Sequence, residues 1–318
     1  MSSNGSVPRR EVLVDGAYFA DLVFHGLPAP VRQGGEVFAE GFALVPGGAY
    51  TLAMAVHRLG HDVLWSADFG TDPFSAQVLS AARSEGLSGA AFRHHPRPVR
   101  SLTVSLARSG ERAMVSYQDR IDARPLGPLL REHRPRVLML PQLRWDEGVM
   151  EDLRVARRLG VLVVMDCQDV PATLDDPAVR QALALVDVFA PNLAEALRLT
   201  GTADLDDALA TLSGLVPTVV VKRGGDGATA VRDGARHEVP AVPVDVVDST
   251  GAGDCFNAGL VHGLLRGRSL PDCLAAAVAC GAAATTAPGS SGALHAAGLP
   301  HWLDQVPDSS PDNGGCEE

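Results

Sequence analysis

The stretch Asp248–Phe256 reads DSTGAGDCF, and apolar residues at helical spacing follow it, namely Phe256, Leu260, Leu264 and Leu265. This spacing predicts a helix that opens with the glycine turn Gly251–Gly253. The first N–H groups of a helix have no partner within it and lie at the positive end of its dipole. Such a tip binds an anion, phosphate included, without needing a lysine.

Asp254 stands in the first turn of the same predicted helix. A carboxylate there can take a proton from a hydroxyl group beside a bound phosphate, while the glycine turn stabilises charge on a transferring phosphoryl group. The same residues also fit a plain glycine turn with an acidic first-turn residue, which is a common stabilising device. The Asp-Ser-Thr lead-in and the apolar helix behind the turn favour the functional interpretation.

The composition of the 318 residues is that of a globular protein, with 46% apolar and 20% charged residues. A net charge of −11 disfavours nucleic-acid binding, because the phosphate backbone would be repelled. The five cysteines form neither a CxxC pair nor a zinc-ligand spacing, which predicts reduced thiols and a cytoplasmic protein. We expect no membrane partner and no signal peptide, since the apolar stretches are short and residues 1–10 are polar.

Between residues 137 and 221 the pattern alternates between apolar strands and helices. Strands that are apolar throughout are buried on both faces, so they predict a parallel sheet covered by helices on both sides. These predicted strands are Val137–Leu140, Val161–Met165, Val186–Ala190 and Thr218–Val221.

A second pattern, typical of a hairpin with one exposed face, occurs near residues 101–117. Leu102, Val104 and Leu106 alternate with small or polar residues, and Ser109-Gly110 supplies a turn. We therefore expect one α/β domain over residues 11–304, with a small β accessory built from about 15–45 and 90–120. The ends, 1–10 and 305–318, are expected to be flexible tails.

The segment DSTGAGDCFNAG resembles the C-terminal signature of the PfkB, or ribokinase-like, carbohydrate kinases, usually met as D-T-T/S-G-A-G-D-x-F. The resemblance implies a ribokinase-like three-layer αβα sandwich with a mostly parallel central sheet and a small β-sheet lid. It also implies that ATP, with Mg²⁺, phosphorylates a hydroxyl group of a small sugar-like molecule.

The same resemblance assigns roles to the residues of the signature. Asp254 matches the catalytic base, and Gly251, Ala252 and Gly253 match the anion hole. Asp248 and Thr250 lie where many members bind a monovalent cation such as K⁺.

Two segments near the N-terminus match the family's substrate-binding residues. Asp21 follows the first strand and resembles the early aspartate that hydrogen-bonds substrate hydroxyls; it also fits a solvated loop residue. Gly47 and Gly48 resemble the Gly-Gly signature, where only glycine lets the backbone approach a sugar closely. The two glycines also fit a simple turn before a helix. The family usually has Asn a few residues further on, and here Thr51 stands in that place, which puts the identity of the sugar in doubt.

Two further segments resemble family motifs and also fit helix caps. Gly70–Phe74 resembles the segment after the second strand, and it equally fits an N-cap Asp followed by Pro. Asn192 and Glu195 fit the N-x-x-E motif that organises Mg²⁺ through water, and they equally fit a cap with a first-turn glutamate.

The last match is Lys222–Gly227, which resembles the family's nucleotide-binding turn. By that resemblance Lys222, Gly224 and Gly227 bind the nucleotide, whereas by itself the segment is an ordinary β-turn. The matches span nearly the whole chain in the family's order, so they support one another.

Two alternative functions remain open at this stage. A nucleoside kinase on the same scaffold needs an aromatic side chain for base stacking, and Phe19, Tyr18 or Tyr50 could serve. A catalytically silent sugar-binding relative is suggested by Thr51, but the intact Asp254 argues against it. Neither a G-x-G-x-x-G turn after the first strand nor a Walker A motif occurs, which excludes a classical dinucleotide-binding dehydrogenase and a Walker A kinase. Relatives often dimerise through the lid, and the hairpin near 101–117 is the candidate edge for a homodimer.

Overall fold

Two β-sheets and the helices that cover the larger one are visible in a computed structural model that describes residues 10–108 and 111–307. The strands in these residues are β1 (Val12–Asp15), β2 (Tyr18–His25), β3 (Gly41–Gly48), β4 (Val63–Phe69), β5 (Phe92–His94), β6 (Ser101–Arg108), β7 (Glu111–Gln118), β8 (Val137–Leu140), β9 (Leu162–Met165), β10 (Val188–Phe189), β11 (Thr218–Lys222), β12 (Ala228–Arg232) and β13 (Ala235–Val239). The α-helices are α1 (Ala49–Arg58), α2 (Pro73–Glu85), α3 (Gly127–His133), α4 (Glu147–Arg158), α5 (Pro177–Leu183), α6 (Leu193–Thr200), α7 (Leu205–Ser213), α8 (Ala252–Leu265), α9 (Leu270–Ala284) and α10 (Leu299–Leu303).

The main sheet has the strand order β13-β12-β11-β10-β9-β8-β1-β4-β5 and is parallel from β11 to β5. Alternate residues of β1 enter different cores: Val12 and Val14 pack with α1, α2, α8 and α9, whereas Leu13 packs with α3 to α7. Both faces of the sheet are therefore covered by helices, which is why its strands are apolar throughout. The predicted three-layer αβα sandwich is confirmed.

The edge beyond β11 was not predicted. There β12 and β13 add to the main sheet as antiparallel strands. The turn between them contains Asp233 and Gly234, both with positive φ (53° and 75°), as two-residue hairpins require. The Asp-Gly pair was a sequence signal for this hairpin.

A separate small sheet has the order β3-β2-β6-β7. Strands β2 and β3 pair antiparallel, β2 and β6 pair parallel, and β6 and β7 form the predicted hairpin. These strands occupy residues 18–48 and 101–118, compared with the expected ranges of about 15–45 and 90–120. The turn predicted at Ser109-Gly110 lies outside the described residues, as does most of the two predicted tails.

The parallel strands bring their carboxyl ends to one edge of the main sheet. Asp15 ends β1, Asp166 follows β9, and Lys222 ends β11. Ligands of open α/β sheets bind outside this edge. None of the helices in the described residues is long and apolar enough to cross a membrane.

Candidate active site

A cleft of about 1290 Å³ lies between the carboxyl edge of the main sheet and the small sheet. The small sheet presents alternate residues to it, including Asp21 from β2, Thr103 from β6 and Ser116 from β7. Gly251 and Asp254 at the start of α8 line the same cleft. The fold thus brings the predicted base and the early aspartate into one cavity, although they are far apart in sequence.

The start of α8 is an open helix tip. Gly251 precedes the helix with φ 74°, a left-handed conformation that suits glycine, and no side chain of the described residues caps the helix. A β-carbon on Gly251 would lie 2.8 Å from Thr51 Cγ2, so a larger residue does not fit. Ala252 N donates a hydrogen bond to the Ser249 carbonyl oxygen (3.3 Å), and no side chain of the described residues takes up the other foremost N–H groups, so the tip still offers donors to a ligand or to water.

Asp254 is half-buried at this tip. The pKa of Asp254 is raised to about 7, chiefly by burial and then by the nearby charge of Asp166, against the opposing effect of the Lys222 ammonium. A carboxylate whose pKa lies near neutrality is suited to accept a proton from a substrate hydroxyl.

Asp21 faces the tip from the small sheet. The pKa of Asp21 is raised to about 6, chiefly by burial, with a hydrogen bond from Thr103 opposing the rise and the charge of Asp248 adding to it. The Asp21 carboxylate lies against Gly47, where a β-carbon would overlap it. Gly48, the residue before α1, has φ 63°, so the Gly-Gly pair is required by both packing and backbone conformation.

Thr51 lies behind the tip and away from the substrate side. It is 3% exposed, and its methyl group packs against Gly251. It is not among the described residues that line the cleft, so the structure does not bring it together with Asp21 and Asp254. Its role as a substrate contact stays a prediction.

Asn192 and Glu195 form a capping box at the start of α6. Asn192 Oδ1 accepts a hydrogen bond from Glu195 N (2.9 Å), and Glu195 Oε2 accepts one from Asn192 N (2.8 Å). Glu195 also lines the cleft, and its pKa is raised by burial and then by the charge of Asp166, against hydrogen bonding from Asn192 N. Glu195 can therefore serve both the cap and a ligand, whereas Asn192 is not among the described residues that line the cleft.

Magnesium would be held here mainly by phosphates and water. Among the described residues no three His, Cys, Asp or Glu side chains come together as a metal site. Mg²⁺ commonly keeps several waters and takes one or two carboxylates together with substrate phosphates. The carboxylate of Glu195 in the cleft fits that donor set.

The loop before α8 is held in place by Asp248. Its Oδ1 accepts hydrogen bonds from Thr250 N (2.9 Å) and Thr250 Oγ1 (2.7 Å), and its Oδ2 accepts one from Gly289 N (2.8 Å). The predicted cation site thus has a defined loop geometry, and the ion itself stays a prediction.

The predicted nucleotide turn follows β11. Gly224 has φ 59° with open space around its α-carbon, whereas a β-carbon on Gly227 would lie 2.6 Å from the Pro240 carbonyl carbon. Gly227 is thus required by the approach of the segment after β13. Lys222 Nζ lies 2.6 Å from Asp166 Oδ2, below the tip of α8.

Asp72, from the Gly70–Phe74 segment, ties the main sheet to the small one. It caps α2 by accepting from Ser75 N (2.9 Å), and it accepts from Val99 N (2.9 Å) just before β6. The cap interpretation therefore describes what the structure shows for this aspartate.

Sequence reasoning missed several residues of the site. Asp166 binds both Lys222 and Asn257, and an Asp15–Arg144 ion pair (3.0 Å) lines the cleft. For Asp15 and Asp166, the available signal was their position at the end of an apolar strand. For Asn257, it was its position in the DCFNAG segment.

Comparisons with known proteins agree with this architecture. The family model described as pfkB family carbohydrate kinase matches residues 31–297. A fructokinase from Klebsiella pneumoniae is 31% identical over 78% of this chain and 88% of its own length. A cytidine kinase from Thermococcus kodakarensis is 39% identical over 98 residues, which are 30% of this chain and only 35% of that kinase. The solved structure of Arabidopsis thaliana ribokinase complexed with ribose and ATP has a TM-score of 0.78 at 21% identity, covers 93% of this chain and 99% of that chain, and shows the shared fold.

Proposed function

The chain belongs to the pfkB family of carbohydrate kinases, which are phosphotransferases, and on that premise we propose that it phosphorylates a hydroxyl group of a sugar or sugar-like molecule with ATP. One observation carries the proposal. The half-buried Asp254, Gly251 at the open start of α8 and the facing Asp21 line one cleft.

The reaction assigns each of these groups a task. Bound ATP with Mg²⁺ supplies the phosphoryl group and part of its counter-charge. Asp254 accepts the proton of the attacking hydroxyl; the new O–P bond forms as the bond to the ADP oxygen breaks. Asp21 orients the acceptor by accepting hydrogen bonds from neighbouring hydroxyls, and the N–H groups of Gly251, Ala252 and Gly253 stabilise the phosphoryl oxygens.

The remaining predicted contacts concern the nucleotide and the ions. We assign Glu195 and Asn192 to water-bound Mg²⁺, and Asp248 and Thr250 to a monovalent cation. Lys222, Gly224 and Gly227 are assigned to the nucleotide turn.

The small sheet is proposed as a lid and as a homodimer surface. Its inner face lines the cleft, so closing it would exclude water from the phosphoryl group. Its outer face exposes Phe42, Leu44, Val115 and Tyr117, which form an apolar surface fitted to a second copy of the chain. A monomer in light scattering at micromolar concentration would remove the dimer part of the proposal.

A nucleoside acceptor is the second candidate, and Phe19 favours it. Phe19 lines the cleft, and its ring lies against Gly48, where it could stack on a planar base. The other two aromatic candidates are packed into the core, since Tyr18 is 1% and Tyr50 is 5% exposed. The partial match to a cytidine kinase points the same way.

The deciding experiment is ADP release with an acceptor panel of ribose, fructose, 2-keto-3-deoxygluconate, adenosine, cytidine and pseudouridine. We expect turnover with at least one of them, and a loss of about 10²–10⁴-fold in kcat for Asp254→Asn. Phe19→Ala should raise KM for a nucleoside much more than for a free sugar. No ADP release with any acceptor, or an Asp254→Asn variant with normal kcat, would refute the assignment.

A further inference from the structure

A buried ion pair lies directly beneath the tip of α8. Lys222 Nζ is 2.6 Å from Asp166 Oδ2, and the two side chains are only 13% and 10% exposed. The same oxygen accepts a hydrogen bond from Asn257 Nδ2 (2.6 Å), while Asp166 Oδ1 accepts one from Cys167 N (2.7 Å). With three donors around it, the Asp166 carboxylate is held in one orientation.

The pair contacts the helix that carries Asp254 at two levels. Asn257 lies three residues after Asp254, hence on the same face of α8. Lys222 Nζ is 3.6 Å from the point where a β-carbon on Gly253 would lie, so the ammonium group is next to the tip itself. Lys222 is nevertheless not among the described residues that line the cleft, which separates it from an ordinary ligand contact.

Charged groups from several elements surround Asp254. Asp21 faces it from β2, Asp166 from the end of β9 and Lys222 from β11. The charge of Glu195 on α6 interacts with those of Asp166 and Lys222. Cys255, which carries a thiol, directly follows Asp254 on α8. The two aspartates favour the protonated form of Asp254, and Lys222 favours the ionised form.

We propose that Lys222 and Asp166 are positioning residues for phosphoryl transfer, with the Lys222 ammonium, oriented by Asp166 and Asn257, keeping Asp254 ionised and balancing negative charge at the tip of α8. This inference rests on the proposed function, because it takes Asp254 as the base. It adds to the nucleotide-binding role proposed for Lys222 above, because here the ammonium group acts on Asp254 from below the tip.

The two charges of the pair must then act in opposite directions. Without Lys222 the Asp166 charge is uncompensated, so Asp254 holds its proton to higher pH. Without the Asp166 charge the ammonium is unopposed, so Asp254 loses its proton at lower pH. A role confined to structure would move neither transition.

The test is kcat as a function of pH, at saturating ATP and Mg²⁺, with the acceptor that the panel identifies. For the wild type we expect activity to fall on the acid side near pH 7. For Lys222→Met this fall should move up by about one pH unit or more, and for Asp166→Asn it should move down by a similar amount. Lys222→Arg keeps the charge and should restore the wild-type profile.

Arg236→Met is the control. It removes a cation from β13, outside the assigned site, where the Arg236 guanidinium lies 2.6 Å from Asp206 Oδ1 and 2.6 Å from Glu238 Oε1. We expect its pH profile to match that of the wild type. Circular dichroism and thermal unfolding identify a variant that does not fold. If Lys222→Met does not fold, the pH profile of Asp166→Asn is compared with that of the wild type instead.

Two outcomes would overturn the inference. One is that the wild type is active and the fall of kcat on the acid side occurs at the same pH in the folded variants as in the wild type. The other is a Lys222→Met variant that changes only KM for ATP, because Lys222 would then be a nucleotide ligand alone. A wild type that is inactive on every acceptor is a different result, and it counts against the proposed function itself.

Discussion

The Asp21 carboxylate lies against the α-carbon of Gly47, in the space that a β-carbon at position 47 would occupy. The two residues belong to adjacent strands, β2 and β3, that pair antiparallel in the small sheet. Glycine at position 47 therefore fixes where the carboxylate can stand in the cleft.

Gly47→Ala should displace Asp21 and weaken acceptor binding. Losing a hydrogen bond to a charged group costs about 1.5–3 kcal/mol, so we expect KM for the acceptor to rise by roughly 10–100-fold with KM for ATP little changed. Steady-state kinetics with each substrate varied in turn measures this. Gly214→Ala is the control, because Gly214 has φ −73° and the nearest atom to a β-carbon there is 3.4 Å away. An unchanged acceptor KM in Gly47→Ala would contradict the role of Asp21.

Asp254→Asn should stabilise the protein at high pH. The pKa of Asp254 is about 7 in the folded chain, above its ordinary value of 3.8, so ionisation costs more when the chain is folded. The free energy of unfolding therefore falls as pH rises from about 4 to about 7, and the contribution is constant above that range. We expect the variant to unfold at a higher denaturant concentration than the wild type at pH 8, by a free energy on the order of a few kcal/mol at most.

The advantage of Asp254→Asn should shrink at pH 5, where Asp254 is protonated in the folded wild type. Urea unfolding at the two pH values measures the difference. Asp245→Asn changes an exposed aspartate and serves as the control. Equal stability gains at pH 5 and pH 8 would show that the charge of Asp254 is not the cause.

Asp72→Ala should loosen the junction between the two sheets. Asp72 is 6% exposed and accepts hydrogen bonds from Ser75 N, Ser75 Oγ and Val99 N, each at 2.9 Å. Leaving these buried donors unpaired should cost about 2–4 kcal/mol of stability. The exposed cap Asp204→Ala should cost only about 1 kcal/mol. Chemical denaturation compares the two, and equal losses would mean that the contact with Val99 contributes nothing.

Glu195→Gln separates the cap from the metal ligand. Glutamine keeps an oxygen that can accept from Asn192 N, so the free energy of unfolding should change by about 1 kcal/mol or less. Loss of the charge should raise the Mg²⁺ concentration for half-maximal activity severalfold. Titration of activity with Mg²⁺ measures this, and an unchanged requirement would leave Glu195 with the capping role alone. Glu195→Ala, which removes both oxygens, should show the loss of stability as well.

Much of the fold could be predicted because its signals are local. The apolar strands 137–140 and 218–221, the stop of α1 near Gly60 and the proline at the start of α2 follow from spacing and backbone preference within a few residues. The edge hairpin β12–β13 was missed although its Asp233-Gly234 turn was readable. It lies beyond the predicted strand–helix alternation, which ends at residue 221.

The sequence by itself determined the open helix tip and its aspartate, because a glycine turn, a first-turn carboxylate and the helix behind them are neighbours along the chain. Only the tertiary structure decided what surrounds that aspartate. Lys222 and Asn257 reach Asp166 across 56 and 91 residues of sequence, and Asp21 arrives from a different sheet. Burial and charge depend on which elements meet in space, so the proton affinity of Asp254 is a property of the packed fold. The same packing buries Thr51 against Gly251 and keeps it out of the cleft.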